Sequence, residues 1–237
     1  MRTNVVVIAI CEFLLMSNTA AAQKDSIEQP AHWGELNRAW IVPIGIAASF
    51  GLDPELREWT LHRHTRSLDR LAKLVNPLGT GRRLVPAMAL TYVGASLIHR
   101  ESLAHSTLNT AAAYVAADLA ESALKPLIGR ERPHVEGNSH HFHPFTASGD
   151  WHSLPSAHVA HITAIAQAVS MQTHSASITT LASSFVALVA WDRIYEDQHW
   201  TSDVTATIAL SSAVSGATIR WLESHWTHSH DAEASAR

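Results

Sequence analysis

Apolar runs separated by short polar breaks set the pattern of this chain. The first runs from Trp40 to Phe50. Behind it, Asp53-Pro54-Glu55 has the composition of a helix start: an acid that can cap, a proline suited to the first turn, and a carboxylate that complements the dipole. Leu56, Trp59, Leu68, Leu71 and Leu74 then recur on one face opposite many charges. Asn76-Pro77, with Gly79 and Gly81, ends the segment. Further helical runs lie near 84–99, 108–128, 157–171 and 178–195, and a last one from about 203 to 222. β-Branched residues do not form period-two runs between turns. The expectation is an all-α, single-domain helical bundle of about six core helices.

The same pattern bears on the solvent. No Asp, Glu, Lys or Arg occurs from Trp151 to Trp191, which resembles membrane sequence. Yet Ser, Thr, Gln and His fill that stretch, and Asp118 and Glu121 fall mid-helix elsewhere. The uncharged runs 39–52, 84–98 and 204–219 are short for a span, with alanine where leucine would be expected. The pattern favours a soluble bundle, with an integral membrane protein as the alternative. Residues 1–22 fit a secretory signal: Arg2, an apolar stretch from Val5 to Met16, and Ala20-Ala21-Ala22 before Gln23. An uncleaved anchor is the rival reading. Residues 23–237 would form the exported domain, periplasmic or secreted.

Composition narrows the chemistry. The chain has 237 residues, 46% apolar and 16% charged, enough for one sizeable core and far from a disordered composition. A formal net charge of -4 excludes a global basic field that would draw in nucleic acid or anionic lipid. Any positive charge that binds an anion must be local. The single cysteine, Cys11, lies in the leader, so the exported domain has no disulfide, thiolate nucleophile or Cys-ligated metal.

Three blocks carry candidate chemistry: Lys125 to Pro133, Leu154 to His158, and Arg193 to Asp203. Lys125, Arg132 and Arg193 are cations beside expected helix ends; the arginines can fork onto anionic oxygens and the lysine acts as a point charge. Ser156 and the amides near it, including that of Ala157, lie where a helix begins and its N–H groups point outward. His199 and Asp203 are four apart and share a helical face, where a carboxylate can fix an imidazole tautomer. His158 is suited to give a proton to a leaving oxygen. These are the parts phosphoryl transfer needs: anion cradle, nucleophile, orienter and acid.

The blocks resemble the signature of the type-2 phosphatidic acid phosphatase and vanadium haloperoxidase superfamily: K-x6-R-P, P-S-G-H and S-R-x5-H-x3-D. Lys125, Arg132, Pro133, Pro155, Ser156, His158, Arg193, His199 and Asp203 fall at the required spacings. The likeness covers about 108–222. It implies that Lys125, Arg132, Arg193, Ser156 and the Ala157 amide hold a phosphoryl group. His199 attacks it and becomes a phosphohistidine, Asp203 orients His199, and His158 protonates the leaving alkoxide and then activates water. It implies no metal and no cofactor. The substrate would be a lipid phosphate, an isoprenoid pyrophosphate or a soluble phosphomonoester, as for an acid phosphatase, with membrane association possible and no nucleic acid. Two positions depart from the pattern: Ala157 stands for glycine and Asp192 for serine.

The rival functions are a vanadium-dependent haloperoxidase, with vanadate in the same cradle, and a non-catalytic phosphate- or phospholipid-binding module. The complete set of His199, Asp203 and His158 argues against a pure binder. Arg130 and Glu131 read as surface residues, and Trp200 as either core or substrate contact. The histidine-rich loop 134–153 reads as a solvated border of the substrate entrance rather than a metal site, since no cysteine or paired acid accompanies it.

Overall fold

The computed structural model describes residues 33–235, with side chains from 42 to 225. The leader expected over 1–22 lies outside the described residues. Among those described there are seven α-helices: α1 (Trp33–Leu61), α2 (Arg66–Val75), α3 (Gly81–Leu97), α4 (Glu101–Ile128), α5 (Ala157–Thr173), α6 (Ala176–Tyr195) and α7 (Thr201–Ser235). Short 3-10 turns lie at Asn76–Gly79 and Gly149–Trp151. The all-α bundle is therefore the observed architecture. Helix α5 is central and packs against α4, α6 and α7; α1 leans on α7, and α3 on α4.

The N-terminal segment differs from the sequence expectation. Asp53 does not start a helix: α1 runs through Pro43 and Pro54 to Leu61. The break falls after it, and Thr65 caps α2 by accepting the Leu68 N–H on its hydroxyl. The reason is tertiary. Asp53 is buried, and its carboxylate accepts from Arg130, 77 residues away, and from the Ser202 amide and hydroxyl. The expected apolar face also moves, because α2 buries Ala72 and Val75 while Leu71 and Leu74 stay exposed.

Small side chains build the core. Val75, Val159, Val186, Val189, Ala190, Val204 and Ile208 form one cluster, and Ala113, Ala168 and Ile219 another. Alanines at these positions let helices approach closely, at the cost of apolar area per residue. Buried hydroxyls are absorbed by backbone carbonyls: Thr107 to Leu103, Thr110 to Ser106 and Thr207 to Asp203, with Ser211 crossing from α7 to the Ala160 carbonyl on α5. Among the described residues no helix is long and apolar enough to cross a membrane.

Candidate active site

Four helix ends carry the motif residues. Lys125 lies in the last turn of α4, and Gly129 ends that helix in the left-handed region at φ 60°. A Cβ at Gly129 would stand 1.9 Å from the His143 carbonyl oxygen, so only glycine permits this turn. The chain then pairs with the loop ahead: His143 N–H donates to the Gly129 carbonyl, Glu131 N–H to His141, and Ser153 N–H to Arg130. Ser156 occupies the N-cap position of α5, and its buried hydroxyl makes no capping bond and has no hydrogen-bond partner among the described residues. A buried orphan hydroxyl beside first-turn amides marks a place where an anion can bind. Arg193 lies in the last turn of α6, and Asp203 in the first turn of α7.

His199 sits buried between these ends. Its Nδ1 lies 2.6 Å from the Ser153 carbonyl oxygen, which can only accept, so Nδ1 carries the proton. Nε2 is left with its lone pair, 3.5 Å from Arg132 Nη1. Burial holds the imidazole well below its ordinary pKa, and the fields of Arg132, Lys125 and Arg193 act the same way. The site thus disfavours charge on the ring and sets the Nε2 lone pair toward Arg132.

Asp203 and His199 do not share a helical face, since α7 begins at Thr201, and they meet less directly than a four-residue spacing suggests. The Asp203 carboxylate is 4.0 Å from His199 Nδ1, too far for a hydrogen bond. Instead it accepts from Arg130 at 2.5 Å, from the Ser153 hydroxyl at 2.5 Å and from the Trp200 amide at 2.9 Å. Ser153 is the link, since its hydroxyl holds Asp203 while its carbonyl holds His199. Burial raises the Asp203 carboxyl, opposed by Arg130, Ser153 and Trp200.

Arg130 and Glu131 are not surface residues. Arg130 is fully buried and bridges Asp203, Asp53, Ser202 and the Ser139 carbonyl. Glu131 is buried against His141. Apolar runs and short motifs carry no mark of such pairs. The only available signal was charge left over: Asp53 and Arg130 both interrupt otherwise apolar or motif-bearing sequence. Trp200 is core, donating its indole N–H to the Glu131 carbonyl.

The cradle cations differ in what holds them. Arg132 bonds to the Gly149 carbonyl and to the backbone and side chain of Gln198. Lys125 Nζ lies 2.8 Å from Glu121 Oε2, and Arg193 is tied to Asp192. Their fields converge on His158, whose pKa falls to about 4 through burial first and then through Arg193, His161, Lys125 and Arg132. His158 is packed against the Asn76–Gly79 turn, where a Cβ on Gly79 would come within 2.8 Å of His158 Cβ. Ala157 is helical, and its φ is not positive, so the family glycine is not needed here for conformational freedom.

The loop histidines are engaged locally: His134 with the Asp197 carbonyl, His140 with Ser139, His152 with the Thr146 carbonyl, and His143 against the Trp151 ring. Paired acids do accompany one of them. Glu131, Glu136 and His141 bring three ligand atoms within 4.8 Å, as do Asp118, Glu121 and His161. In the second set Lys125 already lies against Glu121. In the first, Glu136 is an exposed side chain.

Known proteins share this fold. Solved structures with the same fold include LpxE from Aquifex aeolicus, at 19% identity and TM-score 0.57, covering 71% of this chain and 95% of that one. Another is a transmembrane PAP2 type phosphatidylglycerolphosphate phosphatase from Bacillus subtilis, at 17% identity and TM-score 0.60, covering 92% of this chain and 96% of that one. No curated protein matches the chain. The family model of the PAP2 superfamily matches residues 106–226, which hold all three motif blocks and the four helix ends they occupy, and the chain belongs to that superfamily.

Proposed function

We propose that this protein is a phosphatase that hydrolyses a phosphate ester through a phosphohistidine at His199, without a metal or other cofactor. The observation that carries the reading is the fixed tautomer of His199, with the Nε2 lone pair beside Arg132 and the proton held on Nδ1 by Ser153. Lys125, Arg132, Arg193, the Ser156 hydroxyl and the Ala157 amide hold the phosphoryl oxygens. Nε2 attacks phosphorus as the ester P–O bond breaks, and His158 gives its proton to the departing alkoxide. Water then attacks the phosphohistidine and returns a proton to His158, and the P–N bond breaks. The buried Asp203 fixes Ser153, and through it the imidazole.

A lipid phosphate is the favoured substrate class. Leu127, Phe142 and Phe145 are exposed at the site-bearing end, Phe145 at 82%, and offer an apolar approach for a lipid chain. One structural relative is named for phosphatidylglycerolphosphate, which agrees with this class. Residues 1–22 serve export and 23–237 form the phosphatase domain, acting on the far side of the membrane and in association with it.

Release of phosphate from a soluble aryl phosphate and from a detergent-solubilised lipid phosphate tests the reading. His199→Ala is expected to abolish both while the helical circular dichroism and Tm hold. Acid-labile, alkali-stable label on the wild-type chain would identify the phosphohistidine. Near-normal turnover in the variant would sink the assignment. Halide oxidation with peroxide and vanadate, in place of phosphate release, would establish the haloperoxidase function. Phosphate binding without turnover would establish a binding module.

A further inference from the structure

We infer that Asp192 competes with phosphate for Arg193 and so sets how tightly the site holds substrate and product. The inference rests on the phosphatase reading and adds to it a residue that tunes affinity. Arg193 turns both Nε and Nη2 onto one oxygen of the residue before it, Asp192 Oδ2, at 2.9 and 2.5 Å. Nε and Nη2 form one of the two edges by which a guanidinium forks onto an oxyanion. A phosphate therefore meets Arg193 with that edge already taken.

The burial of the pair makes the competition strong. Asp192 is fully buried and Arg193 nearly so, which leaves little water to screen the attraction. Asp192 Oδ1 has no hydrogen-bond partner among the described residues. The carboxylate therefore depends on Arg193, unlike Asp203, whose charge is spread over Arg130, Ser153 and the Trp200 amide. Burial pushes the Asp192 carboxyl up, and Arg193 is the group that opposes this. A serine at this position, as in the family pattern, would be neutral and leave the guanidinium unopposed.

Lys125 follows the same arrangement on α4, where Glu121 lies one turn behind it. Arg132 does not, since its partners are the Gly149 carbonyl and Gln198. Two of the three cations thus meet a phosphate with buried carboxylates at their backs. Such a site binds the dianion weakly and releases inorganic phosphate readily.

Calorimetric titration of the full chain with inorganic phosphate, at fixed pH and ionic strength, tests this. Asp192→Ser and the isosteric Asp192→Asn are expected to tighten the Kd by about tenfold, since each removes a charge that competes for a desolvated guanidinium. KM for an aryl phosphate should fall in parallel, with a smaller change in kcat. Arg193→Ala should remove most of the binding. Unchanged or weaker binding by Asp192→Asn, with a wild-type melting profile, would overturn the inference and leave the phosphatase reading standing. Failure of the wild-type chain to bind phosphate, or undiminished binding by Arg193→Ala, would instead remove the cradle itself and the inference with it.

Discussion

Arg130 and Arg132 stand two residues apart and are put to opposite uses. Arg130 is sealed in the core. It meets two buried carboxylates and stacks 4.5 Å from the Phe50 ring centroid. Arg132 is held by neutral groups and faces the lone pair of His199. One guanidinium is neutralised by the fold, and the other is left with no carboxylate against it among the described residues. What separates the structural arginine from the one proposed to bind phosphate is the partner that balances it, which spacing in a motif does not reveal.

The sharpest way to break this comparison is Arg130→Met. It strands Asp53 and Asp203 as buried, unpaired charges, and a loss of about 3–5 kcal/mol in stability is expected by denaturant melt. A variant as stable as wild type would mean that the two acids find other partners. Arg132→Ala should leave the melt near wild type and lower kcat/KM by about 10²–10³, the scale of one removed oxyanion donor. Equal effects on stability from both variants would erase the distinction.

A pH profile tests the histidines that face the cations. If His158 supplies the proton, kcat/KM should fall about tenfold per unit as pH rises through about 4, because only the protonated free enzyme is competent. A flat profile from about pH 4 to 7 would remove the acid role. Stability should move the other way. Both His158 and His199 have folded pKa values below the unfolded value, so folding opposes their protonation. Their contribution is present above the unfolded pKa of about 6.5 and is lost as pH falls below it, for His158 through about 4. The smallest effect belongs to Ala157→Gly. With Ala157 in a helical conformation, restoring the family residue should change stability by less than ~1 kcal/mol and activity by less than about twofold.

The sequence carried the bundle and the motif residues, because apolar periodicity and fixed spacings are local properties. It did not carry their supports. Asp53-Pro54-Glu55 satisfies every local rule for a helix start, yet Asp53 is spent on a partner 77 residues away. Arg130 and Glu131 read as solvated because nothing nearby in sequence shows what covers them. The acceptor that fixes His199 is a backbone carbonyl, which any residue at 153 would possess, so no side-chain pattern could have pointed to it. The shared helical face expected for His199 and Asp203 does not form, because α7 begins at Thr201 and leaves His199 in the turn ahead of it, with Ser153 as the link between the two.

Gly79 gives the site a property best expressed as entropy. With a hydrogen where any other residue has a β-carbon, the Asn76–Gly79 turn closes directly onto the Cβ of His158. An imidazole rooted against backbone has few rotamers to sample. Under the proposed mechanism, the order that His158 needs as proton donor is thus imposed when the chain folds, once in the life of the molecule, rather than anew with each substrate.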